Sequence, residues 1–118
     1  MTFNNAIASV PVKDLSTAVA WYEQLLGKPP DSRPMAELAE WRFDGGGWLQ
    51  LYQLPERAGA SSVTLAVSDL DGHADRLTQR GVDTSVRTTN PRVRTVMITD
   101  PDGNHVALAE TSDPSIAH

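Results

Sequence analysis

The stretch that decides the fold is Ser9–Gly27, SVPVKDLSTAVAWYEQLLG, and its plan returns at Thr64–Gly81, TLAVSDLDGHADRLTQRG. Each stretch contains an alternating strand, a Val-x-Asp-Leu junction, an amphipathic helix and a terminal glycine. The junction recurs at one fixed offset, because Val12, Asp14 and Leu15 return as Val67, Asp69 and Leu70. The chain is therefore predicted to contain the same structural unit twice.

The two junction aspartates, Asp14 and Asp69, are predicted to cap the helices that follow them. A side-chain oxygen at this position accepts a hydrogen bond from an otherwise unpaired amide of the first helical turn. The first helix is expected to end at Gly27, since the Lys28-Pro29-Pro30 sequence cannot continue it. Both aspartates are therefore interpreted as structural rather than catalytic.

Short alternating segments follow each helix and predict strands at 39–43, 48–54, 84–87, 93–99 and 105–110. Gly45-Gly46-Gly47 and the segment 100–104 predict hairpin turns. This order predicts an α+β fold with two tandem βαβββ modules, at about 5–55 and about 60–110. One domain is expected to span 1–118, with a C-terminal tail at 111–118.

The composition excludes several classes of function. Ten basic residues against fifteen acidic residues give a formal net charge of -5, which disfavours nucleic acid as a partner. The absence of cysteine excludes thiolate nucleophiles, disulfides and Cys-ligated metals. No run of about 20 apolar residues and no signal peptide is recognisable, so a cytoplasmic protein without a membrane partner is expected.

Five motifs carry a family resemblance: V-K-D-L, A-W-Y-x-x-L-L-G, G-G-W-L-Q-L, V-S-D-L and D-P-D-G-N-H-V-A-L. With the duplication, they resemble the vicinal oxygen chelate superfamily, which includes glyoxalase I, bleomycin-resistance proteins and extradiol dioxygenases. The resemblance extends from about residue 5 to 110. It implies curved mixed sheets around a cleft, and a homodimer with clefts between its subunits.

The metal enzymes of that superfamily place their ligands on the first and last strands of each module. The corresponding positions here are Ile7, Gln50, Ser62 and Ala107. Only Gln50 carries a useful oxygen, whereas a catalytic metal needs about three protein ligands. The resemblance thus implies a chain with neither metal nor cofactor. A rearranged site that uses His105 with Gln50 is the alternative.

Strand alternation predicts which residues line the cleft. Trp48 and Tyr52 are expected to flank Gln50 as a platform for a ligand, although core or dimer-interface packing is the competing interpretation of Trp48. The pattern does not assign Trp41 and Phe43 to either face. Arg94 is a further candidate at the cleft mouth. The predicted ligand-binding residues are Ile7, Ser9, Trp48, Gln50, Tyr52, Ser62, Thr64, His105 and Ala107.

The leading hypothesis is a metal-independent binding protein that sequesters a bulky natural-product antibiotic such as a bleomycin, a mitomycin or an enediyne. No catalytic residue is assigned, and Glu40, Asp100 and Glu110 are interpreted as structural. The first alternative is a glyoxalase-like lyase or isomerase, or a dioxygenase-related enzyme, with a degenerate metal site. The second is a fold used for assembly or regulation, with its aromatic residues buried between subunits.

Overall fold

A computed structural model describes residues 2–111 of the chain, which form two compact units. The first unit contains the residues up to Ser61 together with the turn Pro101–Asn104. The second unit contains Ser62–Asp100 and the residues from His105 onward. Apart from Thr111, the predicted tail at 111–118 lies outside the described residues.

In the first unit, one strand, one helix and three further strands follow each other along the chain. They are β1 (Ile7–Val12), α1 (Leu15–Leu26), β2 (Ser32–Met35), β3 (Leu38–Arg42) and β4 (Trp48–Gln53). The spatial order of the strands is β1-β4-β3-β2. β1 runs parallel to β4, and the other neighbouring strands are antiparallel.

The second unit repeats this plan. Its elements are β5 (Ser62–Ala66), α2 (Leu70–Gln79), β6 (Val86–Thr89), β7 (Val93–Thr99) and β8 (His105–Thr111). The strand order is β5-β8-β7-β6, again with a parallel pair formed by the first and last strands. The predicted α+β class and the two tandem βαβββ modules are therefore confirmed.

The helices begin where the junction aspartates predict. The Asp14 carboxylate accepts a hydrogen bond from the Thr17 backbone N–H at 3.1 Å, and the Asp69 carboxylate accepts one from the Gly72 N–H at 3.1 Å. α1 ends at Gly27, whose φ of 79° lies in the left-handed region that glycine adopts without strain. Each helix buries its apolar stripe against the last strands of its own sheet.

Two strands differ from the sequence prediction. β2 overlaps the Pro-rich stretch at 29–34, where the sequence predicts no strand. It is an edge strand with an irregular register, a position that tolerates Pro34. The strand predicted at 84–87 is wrong at its start, because β6 begins at Val86. Thr84 is instead buried, and its hydroxyl is hydrogen-bonded to that of Thr78.

The turn Pro101–Asn104 is fastened to the first unit by the side chain of Asn104, which is only 1% exposed. Its Oδ1 accepts hydrogen bonds from the backbone N–H groups of Gly59 and Ser61 at 3.1 and 3.0 Å. Its Nδ2 donates to the carbonyl of Pro11 at 3.2 Å. Within residues 2–111, the helices are too short and too polar to cross a membrane.

Candidate functional site

α1 packs against one face of the first sheet, and the opposite face carries the candidate site. Leu49 and Leu51 on β4 are completely buried on the helix side, whereas Trp48, Gln50 and Tyr52 are half-buried on the other side. This alternation follows from the pleat of the strand. We call the face opposite α1 the first open face, because it belongs to the first sheet. It comprises Ile7, Ser9, Leu38, Glu40, Arg42, Trp48, Gln50 and Tyr52.

The strand register arranges the first open face in rows that cross the sheet. A polar row lies in the middle, and the rows on either side of it each contain one aromatic residue from β4. The rows are Ile7 with Trp48 and Arg42, Ser9 with Gln50 and Glu40, and Tyr52 with Leu38, the last beside the buried Pro11 of β1. Two aromatic rings therefore flank a hydrogen-bonding centre on one surface.

Two side-chain hydrogen bonds join the members of the polar row. The Ser9 hydroxyl donates to Gln50 Oε1 at 3.1 Å, and Gln50 Nε2 donates to Glu40 Oε2 at 2.9 Å. These bonds set the orientation of the Gln50 amide, because a carboxylate accepts from its nitrogen and not from its oxygen. One amide N–H of Gln50 and the second oxygen of Glu40 still have capacity for a ligand.

The carboxylate of Glu40 has no ion-pair partner within residues 2–111, where the described ion pairs include Lys28 with Asp31 and Arg94 with Asp71 and Glu110. Arg42 lies two residues further along the same strand, and its charge acts on Asp31. The pKa of Asp31 is lowered, chiefly because its carboxylate accepts a hydrogen bond from the Arg42 backbone N–H and also one from Lys28.

The structure assigns Trp41, which the sequence left open, to the helix side of the sheet. Trp41 pairs with Leu49 across the hairpin and is completely buried. Its Nε1 donates a hydrogen bond to the carbonyl of Lys28 at 3.0 Å, and its ring lies 6.3 Å from that of Tyr22. Trp41 is therefore a core residue, and Phe43 follows the end of β3 in a half-buried position.

The second sheet carries the remaining predicted ligand-binding residues on the face opposite α2. Ser62 pairs with His105 in the parallel register, and Thr64 pairs with Ala107. Ser62, Thr64 and His105 are exposed, whereas Ala107 is buried and lies opposite Met97 of β7. We call these four predicted residues the second open face. The structure thus distributes the predicted set over two faces, one in each unit.

Arg94, a candidate for the cleft mouth, belongs to the helix side of the second sheet. It shares its face of β7 with the buried Val96 and contacts carboxylates of Asp71 on α2 and Glu110 on β8. Its pKa is raised, chiefly by the hydrogen bond to Asp71, which in turn lowers the pKa of Asp71. Arg94 therefore joins the helix to the sheet, and this interpretation corrects the expectation from sequence.

The residues at the superfamily's metal-ligand positions do not fit a divalent metal. Ile7 and Ala107 carry only hydrocarbon, Ser62 offers a neutral hydroxyl, and the Gln50 amide is already held by its two neighbours. Zinc, iron and manganese sites use about three or more imidazole, carboxylate or thiolate donors. In the part of the chain that the structure describes, His, Asp and Glu side chains form no group of three able to hold a metal.

The predicted set lacks three residues of the first open face, Leu38, Glu40 and Arg42, and from the sequence Glu40 is interpreted as structural. Glu40 lies in the middle of β3 and pairs directly with Gln50. The sequence does contain a signal for this pairing. A hairpin turn centred near Gly45 brings residues at equal distances from it together, and Glu40 and Gln50 are equally distant.

Comparison with protein families gives one match over most of the chain. The family model of the Glyoxalase/Bleomycin resistance protein/Dioxygenase superfamily matches residues 5–108. A search of curated proteins found no match.

Solved structures provide three informative comparisons. A glyoxalase/bleomycin resistance protein from Catenulispora acidiphila DSM 44928 is 37% identical, with a TM-score of 0.83 and coverage of 92% of this chain and 99% of that one. TnmS3, an antibiotic binding protein from Streptomyces sp. CB03234, is 28% identical, with a TM-score of 0.77 and coverage of 90% and 93%. A bleomycin-binding protein in complex with bleomycin is 20% identical, with a TM-score of 0.69 and coverage of 95% and 100%; it shares the fold.

Proposed function

The chain belongs to the glyoxalase/bleomycin resistance protein/dioxygenase superfamily, and from that premise we propose that it is a metal-independent small-molecule-binding protein. Its role is antibiotic resistance by sequestration of a bulky natural product such as a bleomycin, a mitomycin or an enediyne. Binding of this kind needs affinity and stoichiometry and no catalytic group. The antibiotic-binding relative TnmS3 supports this choice within the superfamily.

The observation that carries the proposal is the pair of half-buried aromatic rings on the first open face. Trp48 and Tyr52 lie on either side of the hydrogen-bonded Gln50, with Ile7 and Ser9 on the adjacent strand. Flat ligands stack on aromatic rings, and a few polar groups then fix their orientation. We propose Ser62, Thr64, His105 and Ala107, on the second open face, as further ligand-binding residues of the second unit.

The proposal also covers the cellular location, the oligomeric state and the partners of the protein. We place it in the cytoplasm as a homodimer that binds neither membranes nor nucleic acid, in keeping with its net charge of -5. Sedimentation equilibrium measures the oligomeric state directly. A monomer at the concentrations used for binding would remove the dimer from the proposal and leave the binding function to be judged separately.

The test begins with a tryptophan-fluorescence titration against bleomycins, mitomycins, enediynes and methylglyoxal–thiol adducts, before and after treatment with a chelator. Saturable quenching by one class of drug that survives chelation supports sequestration. Binding or turnover of the thiol adducts that disappears on chelation supports the glyoxalase-like alternative instead. The absence of binding by every compound contradicts the proposed function.

Truncation of the aromatic pair tests where the ligand lies. Trp48→Ala and Tyr52→Ala are each expected to weaken binding by about 1–3 kcal/mol, or roughly fivefold to hundredfold in Kd. Trp21→Phe is the matched control, since Trp21 lies on α1 against Tyr22, with ring centroids 4.8 Å apart. Calorimetry measures the affinities without relying on the fluorophore that is removed. Unchanged affinity in both alanine variants would refute the platform.

A further inference from the structure

Resting on the proposed function, we infer that the first open face selects ligands with a protonated amine beside a flat, apolar group. Glu40 recognises the amine in this arrangement, and Trp48 and Tyr52 contact the flat group. The assignment adds a specificity-determining residue and narrows the ligand from a bulky organic molecule to an organic cation.

Glu40 lies in the polar row of the first open face. It pairs with Gln50 across the hairpin, while Trp48 and Tyr52 occupy the diagonal positions on the same face of β4. Diagonal neighbours on antiparallel strands lie about 7–8 Å apart, which is within reach of aromatic side chains. A ligand amine of ordinary length therefore reaches the carboxylate while its ring contacts either aromatic residue.

Hydrogen bonds within the polar row decide which of its polar groups remain for a ligand. Gln50 Nε2 uses one Glu40 oxygen, and Ser9 donates its proton to Gln50 Oε1. The groups left to the ligand are the second carboxylate oxygen of Glu40, the lone pairs of the Ser9 hydroxyl and one amide N–H of Gln50, so acceptors outnumber donors. An excess of acceptors favours a donor-rich ligand group, and an ammonium group offers only donors.

The charge of Glu40 is not balanced by an ion pair within residues 2–111. The described ion pairs of the chain do not include this carboxylate, so binding of a cation does not first require that an internal pair be broken. Arg42 lies two residues further along β3 on the same face and forms no ion pair with Glu40 in residues 2–111. Aromatic rings near the carboxylate add a cation–π attraction for the same ammonium group.

The experiment compares two probes that share one naphthylethyl group and differ in whether the nitrogen is charged; the Glu40 variants then separate the effect of charge from that of the added acetyl group. 2-(1-Naphthyl)ethylamine is protonated at neutral pH, and its N-acetyl derivative is neutral. Chemical-shift titration of the isotope-labelled protein measures millimolar Kd values and follows the Gln50 side-chain amide. The native chain is expected to bind the amine about tenfold more tightly than the acetyl derivative, because hydrogen bonds between charged groups are the stronger ones.

Glu40→Gln is expected to abolish the tenfold preference, since it preserves an acceptor for Gln50 and removes the charge. Glu37→Gln is the matched control: Glu37 is exposed in the β2–β3 turn, and its substitution changes the net charge equally. Glu40→Asp, which retains the carboxylate, is expected to keep part of the preference. An effect of Glu37→Gln as large as that of Glu40→Gln would assign the preference to overall charge and overturn the inference.

Two further outcomes separate this inference from the proposed function. Equal binding of the amine and its acetyl derivative by the native chain contradicts the role of Glu40 and leaves a ligand-binding face intact. Failure of both probes and of every drug to bind contradicts both proposals together. Binding with shifts remote from Gln50 locates the ligand elsewhere and refutes the assignment to this face.

Discussion

Replacement of Asn104 by alanine is predicted to destabilise the protein by about 3 kcal/mol. The substitution removes side-chain hydrogen bonds that include two accepted from Gly59 and Ser61 and one donated to Pro11. Each such bond contributes about 1 kcal/mol net, and a buried polar group that loses its partner costs about as much or more. For a chain of this size, the loss corresponds to a decrease in Tm of roughly 10 °C.

Asn90→Ala is the matched control for this prediction. The Asn90 side chain also accepts two backbone N–H bonds, from Arg92 and Val93 at 2.9 Å each, but it is exposed. Water replaces these bonds after truncation, so a loss below about 1 kcal/mol is expected. Urea unfolding followed by circular dichroism measures both variants. Similar small losses for the two variants would refute the argument that burial makes the Asn104 bonds costly to remove.

Two further predictions concern the backbone and the helix cap. Both Gly59 and Gly27 have a positive φ, but only at Gly59 would a Cβ lie 2.5 Å from the Asp102 carbonyl oxygen. Gly59→Ala is therefore expected to lower the free energy of unfolding by about 1–3 kcal/mol more than Gly27→Ala, as measured by urea unfolding. Hydrogen bonds from the Thr17 hydroxyl and N–H lower the pKa of Asp14 below its ordinary 3.8. The ionised Asp14 therefore stabilises the folded protein at pH values above 3.8, and this stabilisation is lost as the pH falls through the lowered pKa. The destabilisation caused by Asp14→Ala should therefore shrink between about pH 6 and pH 2; an equal loss at both values would contradict the ionised cap.

The fold could be predicted because its determinants are local and repeated. Capping by Asp14 and Asp69 depends on residues within one helical turn, and the alternation along β4 depends on the pleat alone. β2 could not be predicted, because an edge strand with an irregular register lacks a buried apolar alternation. Its neighbour β3 supplies the pairing that makes it a strand, and that pairing is a tertiary property.

The arrangement of the candidate-site residues could likewise be predicted only where it depends on local sequence. Period-two alternation placed Trp48, Gln50 and Tyr52 on one face, since this requires no knowledge of the neighbouring strand. The placement of Trp41 and Glu40 required the register of β3 against β4, which the hairpin turn determines. Arg94 was misplaced because its partners Asp71 and Glu110 are far away in the sequence.

The side chains of the candidate site are a poor set of ligands for a divalent metal, but they suit an organic cation. A metal ion requires several strong donors at fixed distances, whereas Ile7 and Ala107 provide none and Gln50 is committed to its neighbours. An ammonium group requires only acceptors within hydrogen-bond distance and accepts aromatic rings as additional partners. Glu40, as a single carboxylate between Trp48 and Tyr52 on the same face, meets that smaller requirement. The chemistry that argues against a metal at these positions therefore leads to the proposed recognition of an amine.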